Sequence, residues 1–376
     1  MLRWLIKAVQ EDADLELQLV VTGTHLSYEY GYSIQRIQED GFPITETVEV
    51  SLSSNTREGM VKSAGLAMIS FAEVFKRLSP DIVVLLGDRF EIFAVAVTAN
   101  LMQLPIAHIH GGELTLGAVD DAFRHSITKM SHIHFPISDV YARRIAQMGE
   151  DQRYIYNYGA PGLDCMDKQN FYDQKSLEKK LKIKFLDLSF LITYHPVTKS
   201  EKNDENNILI LLHALEHFES STLIFTEANI DAGGQAINKE IRNFVKLNSN
   251  RAYLFKEVGL PDYLSLMKIA TVLIGNSSSG IIEAPCIGTP TVNIGSRQAG
   301  RLRSQSVIDV VLNEIEIINA INKAIAPEFR LKASRTVVPF KQKDTSLRIK
   351  NTLKTIDLTN ITKKTFIDYE ANLYHC

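Results

Sequence analysis

DIVVLLGDRFEIFAVAVTANLMQLPIAHIHGGE, residues 81–113, decides the fold. Two apolar runs, 81–88 and 105–110, flank a longer apolar segment, 90–103. Neither run alternates apolar with polar residues. Both are therefore expected as strands buried on two faces, as in a parallel sheet covered by helices. The segment between them has the length of a helix. Strand, helix and parallel strand imply a right-handed crossover and a doubly wound α/β domain.

The same alternation extends outward. LQLVVTG (17–23) precedes a helical pattern at 61–78, and HIHFPIS (132–138) precedes one at 140–148. YIYNYG (154–159) closes this half. A polar stretch, 167–184, reads as a linker, after which the pattern restarts. SFLITYHP (189–196), STLIFTEAN (221–229), RAYLF (251–255), TVLIGN (271–276) and TPTVNIG (289–295) are expected strands, with helices at 207–218 and 262–269 among them. Two α/β domains are expected, 1–166 and 185–376, the second ending in a helical tail from residue 341. The first element, 2–10, reads as a helix. A doubly wound domain normally begins with its central strand, so either the topology differs here or the first domain lacks its first strand, which would lie upstream of Met1.

The 376 residues are too many for one ordinary core and sufficient for two. A net charge of -3 gives no electrostatic case for nucleic acid, and leaves room for a local basic pocket for a phosphorylated ligand. The three cysteines form no CxxC pair, which points away from disulfides and cysteine zinc sites and fits a reducing compartment. No apolar run approaches the roughly 20 residues that span a bilayer, and the N-terminus lacks a signal-peptide pattern. A cytoplasmic protein without membrane or nucleic-acid partners is expected.

Chemistry-bearing residues gather at the expected strand ends. Asp88 and Arg89 follow the 81–88 strand, at the carboxyl edge where open α/β sheets bind ligands. A helix-capping Asp is the plainer account of Asp88. HIHGGELTLGAVDDAFRHSITK (108–129) then supplies Glu113, Asp120, Asp121, Arg124 and His125. Asp120 alone could be an N-cap; three acids beside an Arg and a His exceed that need. Crowded, partly buried carboxylates raise one another's pKa, so an acid and a base can coexist near neutral pH. His108 with His110, and His132 with His134, share strand faces and could hold a metal. A metallohydrolase is therefore one alternative.

In the second half, His195 ends a strand before Pro196, and Asn229 and Asp231 follow another. LIGNSSSGIIEAP (273–285) places Ser277 and Ser278 where a strand gives way to a helix. The N–H groups and dipole of such a helix start favour an anion. Glu283, a turn and a half further, can accept from a ribose diol, and Arg297 lies on the same edge. These residues read as a nucleoside-diphosphate site.

Taken in order, GDRFE, HIHGGE, DDAFRHSITK, YHPVT, NIDAG, GNSSSGIIEAP and GSRQAGR resemble the hydrolysing UDP-N-acetylglucosamine 2-epimerases of sialic-acid-type biosynthesis. The resemblance spans about residues 17–311. It implies two Rossmann-like domains facing a cleft, as in GT-B glycosyltransferases. It implies proton transfer by Asp88, Glu113 and Asp120 or Asp121. It implies UDP contacts from Arg89, His195, Asn229, Ser277, Ser278, Glu283 and Arg297. No metal or other cofactor is implied, and the family suggests a homodimer or homotetramer. The family's opening strand and G-x-R-A-[DE] loop have no counterpart here. The implied reaction takes UDP-N-acetylglucosamine and water to free N-acetylmannosamine and UDP, by elimination and then hydration. Alternatives are UDP-N,N'-diacetylbacillosamine as substrate, a GT-B glycosyltransferase, and a shortened, inactive UDP-binding remnant.

Overall fold

The structure is a computed structural model of the chain. It describes residues 1–27, 32–50, 57–115, 120–168, 170–196, 204–228, 234–256 and 258–368. The elements begin with α1 (Arg3–Gln10), β1 (Val20–Thr22), α2 (Ile34–Glu39), β2 (Glu46–Val48) and α3 (Arg57–Leu78). The deciding stretch folds as β3 (Val83–Leu86), α4 (Phe90–Leu101) and β4 (Ile106–Ile109). There follow α5 (Asp120–Met130), β5 (Ile133–Phe135), α6 (Asp139–Gln147) and α7 (Asp164–Lys168).

Strands β3, β4 and β5 form one parallel sheet, and β1 pairs with β2 in another. Among the described residues no ladder joins β1 to β3. The two pieces share a core in which Val48, Phe71, Val74, Val83, Leu85, Ala94 and Ile106 pack together. Alternate residues of the same strands point the other way: Ala107, Ile109, Ile133 and Phe135 pack with Leu5 and Ile349. Both faces of β4 are thus covered, and each fully buried Ile there contributes roughly 1.5–3 kcal/mol. That is why the run at 105–110 does not alternate.

The second half contains α8 (Gln174–Leu181), β6 (Leu188–Thr193), α9 (Asp204–Glu216), β7 (Ser221–Thr226), α10 (Gly234–Leu247), β8 (Ala252–Phe255) and α11 (Leu260–Ile269). It continues with β9 (Val272–Gly275), α12 (Ser279–Ile287), β10 (Thr291–Ile294), β11 (Val307–Val310), α13 (Glu314–Ile325) and α14 (Pro327–Ser334); α15 (Thr345–Thr355) closes the helical elements. Its sheet is parallel throughout, in the order β8-β7-β6-β9-β10-β11. Numbered within the half, that is 3-2-1-4-5-6, the dinucleotide-fold order, whose ligand crevice opens where the order reverses between its first and fourth strands. Here those are β6 and β9.

The chain divides into two compact units, one built of the described residues of Met1–Glu113, Val119–Asp164 and Phe340–Cys376, the other chiefly of Cys165–Pro339. The tail therefore corrects the expected partition. α15 belongs to the first unit: Ile349 joins the Leu5 core, and Thr345 and Ser346 donate backbone N–H groups to Asp164 at 3.1 and 2.7 Å. Lys350 and Lys354 reach Asp12 at 2.6 and 2.8 Å. The face of β3–β5 opposite α3 and α4 is apolar and needs a cover, and a charged, periodic tail supplies one. The stretch expected as a linker contains α8. Asp173 caps α8 by accepting from Ser176 N at 2.8 Å, and Leu177 is fully buried. Among the described residues no helix is long and apolar enough to cross a membrane.

Candidate functional site

In the first unit the site grows from the carboxyl ends of β3 and β4. Asp88 follows β3 through Gly87. After β4 the chain turns sharply: His110 takes a left-handed φ of 68° and Gly112 one of 77°. A Cβ on Gly112 would stand 2.5 Å from Tyr141 O, so the loop passes too close to α6 for any side chain. Glu113 follows, buried at 3% exposure.

Arg124, on the first turns of α5 and only 3% exposed, draws the acids together. Its Nη2 donates to Asp88 Oδ2, and its Nη1 to Asp121 Oδ1 and to the carbonyl of Glu113, both at 3.2 Å. Helical spacing brings Asp121 to Arg124 at i,i+3; the fold brings Asp88. Both carboxylates keep about a quarter of their side-chain surface exposed. His110 Nδ1 lies 2.6 Å from Glu113 Oε1. Asp120, half-buried, opens α5, but Asp121 is the acid tied to Arg124. The structure thus brings together Asp88, Glu113 and Asp121.

Arg89 leaves this group. Its guanidinium holds Glu91 with Nε–Oε2 and Nη2–Oε1 distances of 3.2 Å. Glu91, 4% exposed on the first turn of α4, is a buried acid that sequence reasoning missed.

The remaining histidines serve the fold. His108 lies between the Gly87 carbonyl (2.8 Å) and Thr128 Oγ1 (3.2 Å). Burial pushes it down to about 3, against the opposing pull of that carbonyl. His132 Nδ1 accepts from Ile106 N at 3.1 Å, and burial takes its pKa down to about 4. His134 Nε2 faces Glu150 at 3.1 Å, and Lys129 and Lys364 close on the same carboxylate at 2.5 and 2.7 Å. Burial opposes ionisation of Glu150, but His134, Lys129 and Lys364 outweigh it and bring its pKa to about 2. Among the described residues no group of three or more His, Cys, Asp or Glu side chains is arranged to hold a metal.

In the second unit the expected residues cluster at the β6/β9 switch point. Gly275, φ 134°, ends β9 so close to β6 that a Cβ would meet Thr193 O at 2.0 Å. The next residue, Asn276, is fully buried. Its Oδ1 accepts from His195 N at 2.7 Å, and its Nδ2 donates to His195 O at 2.8 Å. The Asn276 carbonyl accepts from Arg297 Nη1 (3.2 Å) and Gln298 Nε2 (2.9 Å). One amide residue therefore fixes the ends of β6 and β9 and the loop after β10.

Ser277, Ser278 and Ser279 are half-exposed. Ser278 occupies the N-cap of α12, and Ser277 Oγ accepts from Ser279 N at 3.3 Å. The hydroxyl of Tyr263, which sequence reasoning missed, bonds to Ser279 and Thr193. Burial raises its pKa, as does the neighbouring Glu283, while those two bonds oppose the rise. Ser277, Ser278, Glu283, His195 and Arg297 are thus brought to one sheet edge. Asn229 and Asp231 fall outside the described residues. A strand ending in Gly-Asn was the available signal for Asn276; nothing local marks Tyr263 or Gln298.

Residues 7–354 match the family model described as UDP-N-acetylglucosamine 2-epimerase. A GDP/UDP-N,N'-diacetylbacillosamine 2-epimerase (hydrolyzing) of Campylobacter jejuni is 42% identical over 369 residues, 98% of this chain and 95% of that one. A UDP-N,N'-diacetylbacillosamine 2-epimerase (hydrolyzing) of Legionella pneumophila is 34% identical, covering 86% and 85%. The crystal structure of the Neisseria meningitidis UDP-GlcNAc 2-epimerase bound to UDP-GlcNAc superposes with a TM-score of 0.81 over 94% of this chain and 95% of that one. At 17% identity it shares the fold, two Rossmann-like α/β units of the GT-B kind. With a family model covering most of the chain and relatives matched over nearly their whole length, the chain belongs to the UDP-N-acetylglucosamine 2-epimerase family.

Proposed function

We propose that the chain is a hydrolysing 2-epimerase whose substrate is nucleotide-linked N,N'-diacetylbacillosamine. The observation that carries the chemistry is Arg124, buried and bound at once to Asp88, Asp121 and the Glu113 carbonyl. Inverting a carbon needs a proton removed from one face and another delivered to the opposite face. Two carriers are therefore required; Arg124 holds the Asp88 and Asp121 carboxylates and the backbone that carries Glu113.

The C2 proton is not acidic, since no carbonyl adjoins it. Departure of the nucleotide from C1 comes first or nearly so, leaving an oxocarbenium-like centre. A carboxylate then takes the C2 proton, and the electron pair of that C–H bond closes a C1–C2 double bond. A carboxylic acid gives a proton to C2 from the other face, water adds its hydroxyl to C1, and the proton that water loses returns to a carboxylate. The sum is sugar nucleotide plus water to free 2-epimer plus nucleoside diphosphate. Ser277, Ser278, His195 and Arg297 hold the diphosphate as its negative charge develops. Glu283 takes the ribose.

The sugar is argued from relatedness. UDP-N-acetylglucosamine was the principal expectation, but the 42% and 34% identical relatives are both named for N,N'-diacetylbacillosamine. Release of nucleotide and free sugar should be followed with UDP-N,N'-diacetylbacillosamine, its GDP counterpart and UDP-N-acetylglucosamine. The expected kcat/KM favours a diacetylbacillosamine nucleotide by about tenfold or more. A preference for UDP-N-acetylglucosamine would overturn the substrate assignment.

A further inference from the structure

His110 carries a conjunction of features that packing does not explain. It is 6% exposed. It holds a left-handed φ of 68°, a region that costs a β-carbon-bearing residue roughly 1–2 kcal/mol. Its backbone N–H donates to Phe135 O at 3.1 Å, so the backbone is anchored whatever the side chain. Its Nδ1 meets Glu113 Oε1 at 2.6 Å, while its Nε2 is buried without a hydrogen-bond partner among the described residues. A glycine in its place would relieve the backbone. An imidazole kept there at that cost, with one nitrogen on a carboxylate, has a task on that carboxylate.

We propose that His110 is a positioning residue: its Nδ1–H donates to Glu113, fixes the carboxylate's rotamer and favours its ionised, proton-accepting form. The inference rests on the 2-epimerase reading, since it names Glu113 as the group that takes the C2 proton. A neutral imidazole whose Nδ1–H is used has a lone pair left on Nε2, which then meets no donor among the described residues. Other charged and titratable groups surround the pair. Arg124 and Asp121 come from α5, and Asp88 from the loop after β3. His108 lies two residues back on β4, with His134 opposite it on β5. Arg144 of α6 donates to the Gly112 carbonyl.

The test is the pH dependence of kcat for wild type, His110→Ala and His110→Asn, with nucleotide release as the readout. Asn places its amide N–H near the position of Nδ1 and tolerates left-handed φ. In His110→Ala, kcat is expected to fall tenfold or more with KM within about twofold, and the acidic limb of the profile to move up by about half a unit or more. In His110→Asn the limb should return to the wild-type position and at least part of kcat with it. An unmoved limb in His110→Ala, or the same limb in both variants, would overturn the inference. Wild type that releases nucleotide from no sugar nucleotide would sink the functional reading and the inference with it. Wild-type turnover with an unmoved limb sinks the inference alone.

Discussion

Arg124 donates through one guanidinium nitrogen to Asp88, thirty-six residues away in sequence, and through another to Asp121 on its own helix. Its side chain is buried while both acids remain partly exposed. This cation sets where the two carboxylates stand. Replacing it with Ala leaves a buried polar gap and two adjacent uncompensated acids. Arg124→Ala should lose roughly 3 kcal/mol of stability in urea denaturation. Arg124→Lys should recover part of that, yet leave turnover low, because an ammonium cannot reproduce the forked contacts. Full activity in Arg124→Lys would show that the fork is not needed.

Asp88→Asn and Glu113→Gln remove a proton carrier and preserve shape. Each should cut kcat by about 10²–10⁴-fold and leave UDP affinity by calorimetry near wild type. A variant that turns over normally removes its residue from the chemistry.

Asn276 couples His195 to Arg297 and Gln298 through four hydrogen bonds. In Asn276→Ala the two backbone-held bonds to His195 are lost and its buried groups are left unpaired, at about 1–3 kcal/mol. UDP binding should weaken by about tenfold while the pH profile of kcat keeps its shape. Unchanged UDP affinity would place the nucleotide elsewhere.

Three buried histidines, His108, His132 and His134, have pKa values displaced downward from that of a free imidazole. The unfolded chain therefore binds more protons than the folded one below about pH 6.5, and stability must fall as pH drops through that point. His108 alone should cost about 1 kcal/mol between pH 7.5 and 5.5. Glu150, whose folded value is about 2, adds a second loss from about pH 4.5 downward. Urea midpoints across pH 4–8 would show this slope. A flat line between 7.5 and 5.5 would mean that these histidines take up protons as readily in the fold as in the unfolded chain.

The deciding stretch was legible because β3 and β4 are buried on both faces, so their composition alone betrays a parallel sheet. The serine-rich start of α12 was legible for a similar reason: a strand's end and a helix's beginning are written in adjacent residues. What lies far apart in sequence was not. Nothing near residue 345 says that α15 covers the β3–β5 sheet beside Leu5, and the tail was assigned to the wrong unit. Arg89 read as an anion contact because it stands next to Asp88, but a buried Glu91 two residues on captures it. Asp120 and Asp121 are indistinguishable as a pair of letters, and only the 100° per residue of α5 selects Asp121 as the partner of Arg124. Asn276 was overlooked because its importance lies in what it bridges.

The central claim is that the acids gathered by Arg124 exchange the proton on C2. NMR of the wild-type protein turning over UDP-N,N'-diacetylbacillosamine in heavy water tests it most directly. The expected product is the free 2-epimer carrying deuterium at C2, formed in step with UDP. Product that keeps its original hydrogen at C2, or sugar passed to an acceptor with its C2 configuration unchanged, would contradict it.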